Sequence, residues 1–256
     1  MRANKDLGQH FLVDQESVQR IVEASEVGST DQVLEIGAGT GLLTAKLARQ
    51  AGQVIALEID SRMIPILENI SGIKLFNQDF REFDLSSLAQ GYKVIANLPY
   101  YMTSFVIRRL LEAESQPSEL ILLIQREVAQ RIVAPKGQLS VLAIMVGYYA
   151  DAEIIFDISP DKFSPPPRVY SSLIKIRPTK KSIQELDYQE LMRLVKAGFS
   201  QKRKKLKNSL SSGLAQPVSR IEQWLAEAGI DGNKRAQELG LEDWGRLMVA
   251  KSENTP

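Results

Sequence analysis

Short, wholly apolar runs alternate with helix-like stretches over the first two thirds of the chain, and this alternation constrains the fold more than any other feature. The runs predict strands at 32–38, 54–60, 73–79, 93–98, 119–125, 153–159 and 171–177. Helices are predicted at 41–50, 61–69, 104–114, 126–134 and 138–148. Strands that are apolar on both faces are typical of a parallel sheet covered by helices on both sides. The pattern therefore predicts a Rossmann-like, doubly wound α/β sheet that is mostly parallel, with the last two strands as an antiparallel hairpin at its edge.

The character of the sequence changes near residue 180. The segment "PTKKSIQELDYQ" (178–189) is polar, and after it the apolar residues keep only helical spacing, as in Leu191, Leu194 and Val195. Glycine and proline divide this part into short elements. We therefore predict two domains, an α/β domain over 1–179 and a small all-helical domain over 180–256.

The composition excludes several kinds of site. The chain of 256 residues has no cysteine and one histidine, His10, which excludes a disulfide framework, a thiolate nucleophile and a multi-histidine metal centre. No apolar run approaches the ~20 residues that a membrane helix needs, and residues 1–14 lack the apolar core of a signal peptide. We predict a cytoplasmic protein with no metal and no membrane association.

A glycine-rich loop follows the first predicted strand of the sheet. Gly37, Gly39 and Gly41 lie in "VLEIGAGTGLLT", between a strand and a helix, where the backbone can approach a ligand closely. Glu58 and Asp79 lie at the ends of the next two strands, where acids can hold the ribose hydroxyls and the amine of an adenosine. These residues predict an adenosine-containing cofactor, either a dinucleotide or S-adenosylmethionine. The G-x-G-x-G spacing favours the second, because the dinucleotide pattern is usually G-x-G-x-x-G.

The fourth strand of this sheet ends in "NLPY" (97–100), beside the predicted cofactor. An aromatic amine is a poor nucleophile, but acceptors for both of its hydrogens turn its lone pair toward an electrophile. The side chain of Asn97 and the main-chain carbonyl of Leu98 or Pro99 can supply them. Tyr100 offers a ring on which the base can stack. The corner predicts catalysis by positioning and orientation rather than by a strong general base.

Together these motifs resemble the ribosomal RNA adenine dimethyltransferases, specifically the KsgA-type small-subunit enzymes. "NLPY" is preceded by "EIGAGTG", "EID" and "QDF", as in that family. Further similar blocks are "LGQHFLVD" (7–14), "LIQREVAQRI" (123–132), "GQLSVLA" (137–143), "FSPPPRVYSSLIKI" (163–176), "FSQKRKKLKNSL" (199–210) and "AGIDGNKRAQELGLEDW" (228–244). The last two resemble the helical tail that distinguishes the small-subunit enzymes from their large-subunit relatives.

The resemblance implies a role for each matching residue. The S-adenosylmethionine contacts would be His10, Leu12, Gly37, Gly39, Glu58, Asp79 and Asn97. The target adenine would be held by Asn97, Leu98, Pro99 and Tyr100, and Phe163 would close over it. Many members have asparagine at the position of His10, whose side chain can also donate and accept hydrogen bonds.

Ribosomal RNA is the partner that the resemblance implies. The formal net charge is only +1, but residues 162–181 hold six basic residues and 198–208 hold five, with no acid in either segment. A single basic segment of this kind is usually a solvated surface. Two basic segments in one chain favour binding to the phosphates of RNA. The predicted RNA contacts are Phe163, Arg168, Lys202, Arg203, Lys204, Lys205 and Lys207. The implied substrate is a pair of adjacent adenosines in a hairpin near the 3′ end of small-subunit rRNA, methylated during assembly by a monomer without a dedicated protein partner.

Three other functions share parts of this pattern. A large-subunit methyltransferase would have the same catalytic motifs but not the basic tail. A nicotinamide-dependent oxidoreductase would use the same glycine loop and would bind a dinucleotide. A ribosome-assembly factor could have the same fold with secondary or lost activity.

Overall fold

The computed structural model describes residues 8–254, so Leu7 of the N-terminal motif, the rest of 1–7 and residues 255–256 lie outside the described residues. The strands are β1 Phe11–Leu12, β2 Gln32–Ile36, β3 Gln53–Leu57, β4 Ile73–Phe76, β5 Lys93–Asn97, β6 Glu119–Gln125, β7 Ala150–Ile158, β8 Phe163–Ser164 and β9 Ser171–Pro178. The α-helices are α1 Gln15–Ala24, α2 Leu42–Leu47, α3 Ile64–Leu67, α4 Thr103–Leu111, α5 Arg126–Ile132, α6 Val141–Tyr149, α7 Tyr188–Phe199, α8 Leu206–Leu214, α9 Val218–Glu227 and α10 Leu241–Glu253.

The central sheet has seven strands in the order β4-β3-β2-β5-β6-β9-β7. The pairs from β4 to β6 are parallel, and β9 runs antiparallel to β6. The chain moves outward from β2 in one direction to β3 and β4, and in the other to β5 and β6. Parallel sheets bind ligands at such a reversal, outside the carboxyl ends of the strands. The predicted doubly wound, mostly parallel sheet is confirmed, and β7 and β9 are neighbours at its edge.

Burial on both faces explains why these strands read as uninterrupted apolar runs. In β6, residues 120–124 are each at most 1 % exposed. Beside the sheet, α1 buries one face through Val18, Ile21 and Val22. Its first turn is capped by Asp14, whose carboxylate accepts the Ser17 N–H at 2.8 Å.

A second, two-stranded sheet was not predicted from the sequence. β1 pairs antiparallel with β8, so that Phe11 lies opposite Ser164 and Leu12 opposite Phe163. Strands of two residues carry no periodicity for a sequence pattern to detect. The pair joins the N-terminal motif to the proline-rich segment that follows β8.

The described residues form two compact units. The first comprises 8–129 and 152–178, and the second comprises 130–151 and 179–254. The predicted domain boundary therefore needs one correction, because residues 130–151 had been assigned to the α/β domain. The reason is α6, which is apolar on every side and so must be buried among other helices. Within the second unit the Tyr148 hydroxyl donates to the Leu186 carbonyl at 3.0 Å.

Despite its apolar character, α6 has only nine residues. No helix within residues 8–254 has both the length and the hydropathy needed to cross a membrane.

Candidate active site

A cleft of about 790 Å³ lies in the first unit, at the carboxyl ends of the central strands. Five chain segments line it, at 8–11, 36–39, 57–59, 78–80 and 97–102. This volume includes space that is open to solvent. The topology therefore places the predicted cofactor and catalytic segments around one cavity.

The glycine loop forms one wall of this cleft. The N–H groups of Gly37 and Ala38 both donate to the Leu57 carbonyl, at 2.8 and 3.0 Å, which fixes the loop to β3. Gly37 and Gly39 have φ angles of +78° and +55°, in the left-handed region that favours glycine. A Cβ on Gly39 would lie 3.1 Å from the Phe11 ring. The loop thus brings bare backbone to the cavity, and a side chain at Gly39 would require the Phe11 ring to shift by a few tenths of an ångström.

Glu58 connects the loop to the segment after β3. Its carboxylate oxygens accept the N–H groups of Gly39 and Asp60, each at 2.7 Å. The side chain is 4 % exposed, and burial raises its pKa above the ordinary value. Each oxygen keeps a further lone pair, which can accept a hydrogen bond from a ligand hydroxyl.

Asp79 lines the cleft three residues beyond the end of β4. Its carboxylate is held by Arg81, whose Nε and Nη2 lie 2.9 and 2.6 Å from Oδ2. This guanidinium keeps the pKa of Asp79 below its usual value. An adenine amine would therefore share this acceptor with an arginine that sequence reasoning had not considered.

The "NLPY" corner begins where β5 ends. The Leu98 N–H donates to the Leu123 carbonyl at 3.1 Å, and the Pro99 carbonyl accepts the Met102 N–H at 3.0 Å. Tyr100–Met102 form a single 3₁₀ turn that leads into α4. Of the two main-chain acceptors predicted from the sequence, the Pro99 carbonyl already accepts one hydrogen bond within its own turn and keeps one lone pair.

The N-terminal motif orients the Asn97 amide. Asn97 Nδ2 donates to the His10 carbonyl at 3.2 Å, which leaves Oδ1 as the acceptor. The imidazole of His10 is stacked on Tyr100, with 5.6 Å between ring centroids, and its Nδ1 lies 2.8 Å from the Pro165 carbonyl. His10 therefore contacts the predicted catalytic corner through both its backbone and its ring.

Tyr100 is held at both ends of its side chain. Its hydroxyl lies 2.9 Å from Ser171 Oγ, and its ring lies against His10. Burial raises the pKa of the phenol, so the side chain is neutral at physiological pH. The ring is fixed as an aromatic wall of the cleft.

Two predicted ligand contacts lie in the core. Leu12 and Phe163 are 7 % and 3 % exposed and belong to one buried cluster with Val18 and Ile158. The β1–β8 pair places them opposite each other. Neither residue lines the cleft as the structure has it, and the cofactor contact at Leu12 and the closing of Phe163 over the base stay predictions.

The basic segment 162–181 is largely neutralised. Its ion pairs are Lys162–Asp14, Lys175–Glu26, Lys175–Glu119, Arg177–Glu119, Arg177–Glu153 and Lys181–Asp151. Lys175 is also buried. Arg168 is exposed in the loop before β9 and has no ion pair within residues 8–254. The segment is therefore not the continuous basic surface that the sequence suggested.

The second basic run lies mainly in the turn between α7 and α8. Lys202, Arg203 and Lys204 are exposed there. Lys205 Nζ donates to Asn233 Oδ1 at 2.8 Å, and Lys207 is paired with Glu222 at 2.7 Å. Of the five cations only Lys207 is paired with an acid, because the partner of Lys205 is a neutral amide.

Sequence reasoning missed several residues around the cleft. Gln9, Phe11 and Gln78 line it. Glu35 lies in β2 beneath the glycine loop, 2 % exposed, and burial raises its pKa to about 8. Its Oε2 has no hydrogen-bond partner among the described residues. A single acid in the otherwise apolar run "VLEI" was the available signal for it.

Comparison with known proteins gives a consistent assignment. The family model described as "Ribosomal RNA adenine dimethylase" matches residues 1–252. A protein of Dehalococcoides mccartyi named "Ribosomal RNA small subunit methyltransferase A" is 36 % identical over 262 aligned residues, covering 99 % of this chain and 90 % of that protein.

Two solved structures match this chain over nearly its whole length. A dimethyladenosine transferase from Plasmodium falciparum superimposes with a TM-score of 0.79 at 26 % identity, covering 95 % of this chain and 98 % of the other. The 23S rRNA methyltransferase ErmE gives a TM-score of 0.71 at 28 % identity, covering 94 % and 98 %. By its sequence, its fold and the motifs around its cleft, the chain belongs to the ribosomal RNA adenine dimethylase family.

Proposed function

We propose that this protein transfers methyl groups from S-adenosylmethionine to the N6 amines of two adjacent adenosines in a hairpin near the 3′ end of small-subunit rRNA. The observation that carries the proposal is the juxtaposition of the Asn97 amide with the glycine loop and Glu58 around one cleft. The substrate follows from the relatives named for small-subunit methylation.

The residues of the cleft fit the proposed cofactor. Glu58 offers free lone pairs to ribose hydroxyls, and the glycine loop presents bare backbone to the cleft at Gly37 and Gly39. Asp79, shared with Arg81, is the acceptor for the adenine amine. When bound, S-adenosylmethionine supplies an electrophilic methyl group on its sulfonium.

The "NLPY" corner orients the target amine. Asn97 Oδ1 and the main-chain carbonyl of Leu98 or Pro99 accept its two hydrogens, because Asn97 Nδ2 is bound to His10 and leaves Oδ1 as the acceptor. The lone pair of N6 is then directed out of the base plane. Tyr100, fixed by Ser171, supports the base by stacking, which is worth ~1–3 kcal/mol per base in comparable sites. The rate enhancement arises from orientation.

The target adenine must leave its stack to reach this corner, and unpaired hairpin bases do so readily. Arg168 and the exposed cations Lys202, Arg203 and Lys204 would hold RNA phosphates. We further propose a monomer that acts in the cytoplasm on an assembling subunit. Analytical ultracentrifugation of the purified protein tests the monomer.

Methyl transfer to purified subunits tests the function. The protein is incubated with methyl-labelled S-adenosylmethionine and undermethylated small or large subunits, and the rRNA is digested and analysed for dimethyladenosine by mass spectrometry. We expect product from small subunits only. Product from large subunits alone would assign the ErmE-like reaction, and no product from either would contradict the proposal.

An Asn97→Ala variant gives the matched control. We expect transfer to fall by at least 100-fold, since loss of a positioned hydrogen-bonding group typically costs about 10²–10³ in rate. If this variant still restored subunit maturation in cells, an assembly role independent of methylation would be indicated.

A further inference from the structure

A groove in the second unit, separate from the cleft described above, has the chemistry of a nucleotide site. Six of its lining residues carry polar, basic or aromatic groups, namely Arg131, Gln138, Ser140, Phe199, Lys202 and Gln237. Its volume is about 300 Å³, at the lower end of the range of small-molecule sites, about 300–1,000 Å³. Only Lys202 among them was predicted from the sequence to contact RNA.

The backbone of the groove is fixed before any ligand arrives. The N–H groups of Gly137 and Leu139 both donate to the Gln237 carbonyl, at 3.2 Å each. Lys136 is paired with Asp243 at 2.8 Å, which holds the same segment from its other side. A pre-formed site binds a ligand without first losing the entropy of ordering a loop.

The charge of the groove is unbalanced. Arg131 and Lys202 are exposed, and neither side chain forms an ion pair within the described part of the chain. Nearby cations differ, since Lys136 and Lys207 are neutralised by Asp243 and Glu222. No acidic side chain lines the groove. Two such cations in one concavity attract an anion, and a guanidinium matches the geometry of a phosphate.

An aromatic ring and two amides complete the lining. Phe199, the last residue of α7, is half-buried and rests on the fully buried Trp244, with 6.0 Å between ring centroids. Phe199 also lines the groove. The side chains of Gln138 and Gln237 can each donate and accept hydrogen bonds at the edge of a base. Phosphate, stacking and base-edge groups thus occur in one cavity.

We propose that this groove binds one unstacked nucleotide of the ribosomal RNA substrate, at a position other than the methylated adenine. Arg131 and Lys202 hold its phosphate, and Phe199 stacks against its base. Single-stranded loops of RNA offer such splayed nucleotides, and aromatic stacking accepts any base. This inference rests on the proposed function, because it takes RNA as the substrate.

Salt dependence of RNA binding tests the phosphate contacts. The double variant Arg131→Gln, Lys202→Gln is compared with Lys196→Gln, an exposed cation of α7 that does not line the groove. Binding to a small-subunit rRNA fragment is measured from about 50 to 200 mM salt. Arg131 and Lys202 hold one phosphate, and loss of one phosphate contact lowers the slope of log K against log salt by about 0.7 for single strands, so we expect a decrease of about 0.7 and at least tenfold weaker binding. Lys196→Gln should behave as the wild type.

Aromatic rescue tests the stacking contact. We expect Phe199→Leu to weaken RNA binding roughly tenfold and Phe199→Tyr to restore it, because only the second keeps a ring. Circular dichroism and thermal unfolding of every variant check that the second unit, which contains the groove, is folded. A double variant whose slope and affinity equal those of Lys196→Gln would overturn the inference, and so would equal affinities of the Leu and Tyr variants.

The binding assays do not depend on methyl transfer. If the wild type failed to methylate either subunit, the proposed function would fall. If the groove variants nevertheless weakened RNA binding, the inference that the groove binds a nucleotide would still hold.

Discussion

At the residue scale, the candidate site depends on side chains that serve the backbone as well as the ligand. Glu58 accepts one N–H from the glycine loop and one from its own segment, and Asn97 donates to the His10 carbonyl. Each polar group is thereby held in one orientation by a bond that the ligand does not need. Such second contacts are what position a functional group precisely.

Replacing Glu58 by glutamine should weaken cofactor binding without unfolding the protein. A glutamine has one acceptor oxygen, so its NH₂ would face the N–H of Gly39 or of Asp60. Hydrogen bonds to a charged group are worth about 1.5–3 kcal/mol, which corresponds to roughly 10- to 150-fold in affinity. Titration calorimetry with S-adenosylmethionine measures the effect. Glu68→Gln, at an exposed position, is the control, and an equal affinity of the two variants would contradict the expectation.

The buried Glu35 makes stability depend on pH in a defined direction. Burial raises its pKa from 4.5 to about 8 in the folded chain, so the native state holds a proton that the unfolded chain has lost. Stability from this group is complete below pH 4.5 and falls as the pH rises to about 8.

Glu35→Gln should remove that dependence. The stability of the variant relative to the wild type should rise by about 1.4 kcal/mol per pH unit within this window, because one proton is involved. Urea unfolding between pH 5 and 8 measures the difference, with Glu68→Gln as a matched exposed control. Parallel pH profiles for the Glu35 variant and the wild type would show that the carboxyl is ionised in the fold.

At the element scale, the turn from β2 into α2 depends on its glycines for two reasons. Gly41 is the residue before α2, with φ at +79°, and a Cβ there would lie 2.6 Å from Ile70 Cδ1 and 3.0 Å from Leu67 Cδ2. Gly91 has nearly the same φ, +76°, but nothing lies within 4 Å of its hypothetical Cβ. Substitutions at Gly41 and Gly91 therefore share the backbone strain, and only the one at Gly41 adds a steric conflict.

Gly41→Ala should therefore be more destabilising than Gly91→Ala. The left-handed backbone costs a non-glycine residue about 1–2 kcal/mol in both variants. At Gly41 the displacement of Ile70 and Leu67 should add about 1–3 kcal/mol. Chemical denaturation of the two variants measures the difference. Equal losses would mean that the two flexible side chains move aside at no cost.

At the scale of the whole molecule, the two units carry different tasks in our proposals. Every residue that lines the cleft belongs to the first unit, and every residue that lines the groove belongs to the second. The first unit would hold the cofactor and the target base, and the second would hold a further nucleotide of the RNA.

Hydrogen exchange should show this division. Saturating S-adenosylhomocysteine should slow amide exchange in segments 36–41, 57–60 and 97–102, because a ligand that binds only the native state opposes local opening there. Exchange in α7 to α10 should stay unchanged. Mass spectrometry of peptic fragments resolves both regions, and Glu58→Gln at the same ligand concentration is the control for occupancy. Protection of α7 to α10 by this ligand alone would contradict the division.

The sequence by itself determined the features whose signal is local. Apolar runs identified the strands of the central sheet, since a strand buried on both faces has few polar positions. The glycine loop, Glu58 and "NLPY" were found because each follows directly from the end of a strand, and parallel strands bring their carboxyl ends to one edge.

Only the tertiary structure decided which of these side chains reach the cleft and which charges stay free. Leu12 and Phe163 are 151 positions apart by number, and their pairing turned both into the core. The acids that neutralise the segment 162–181 come from elements far along the chain, such as Asp14 and Glu26. Burial and charge balance are sums over contacts between distant residues, so no local pattern contains them.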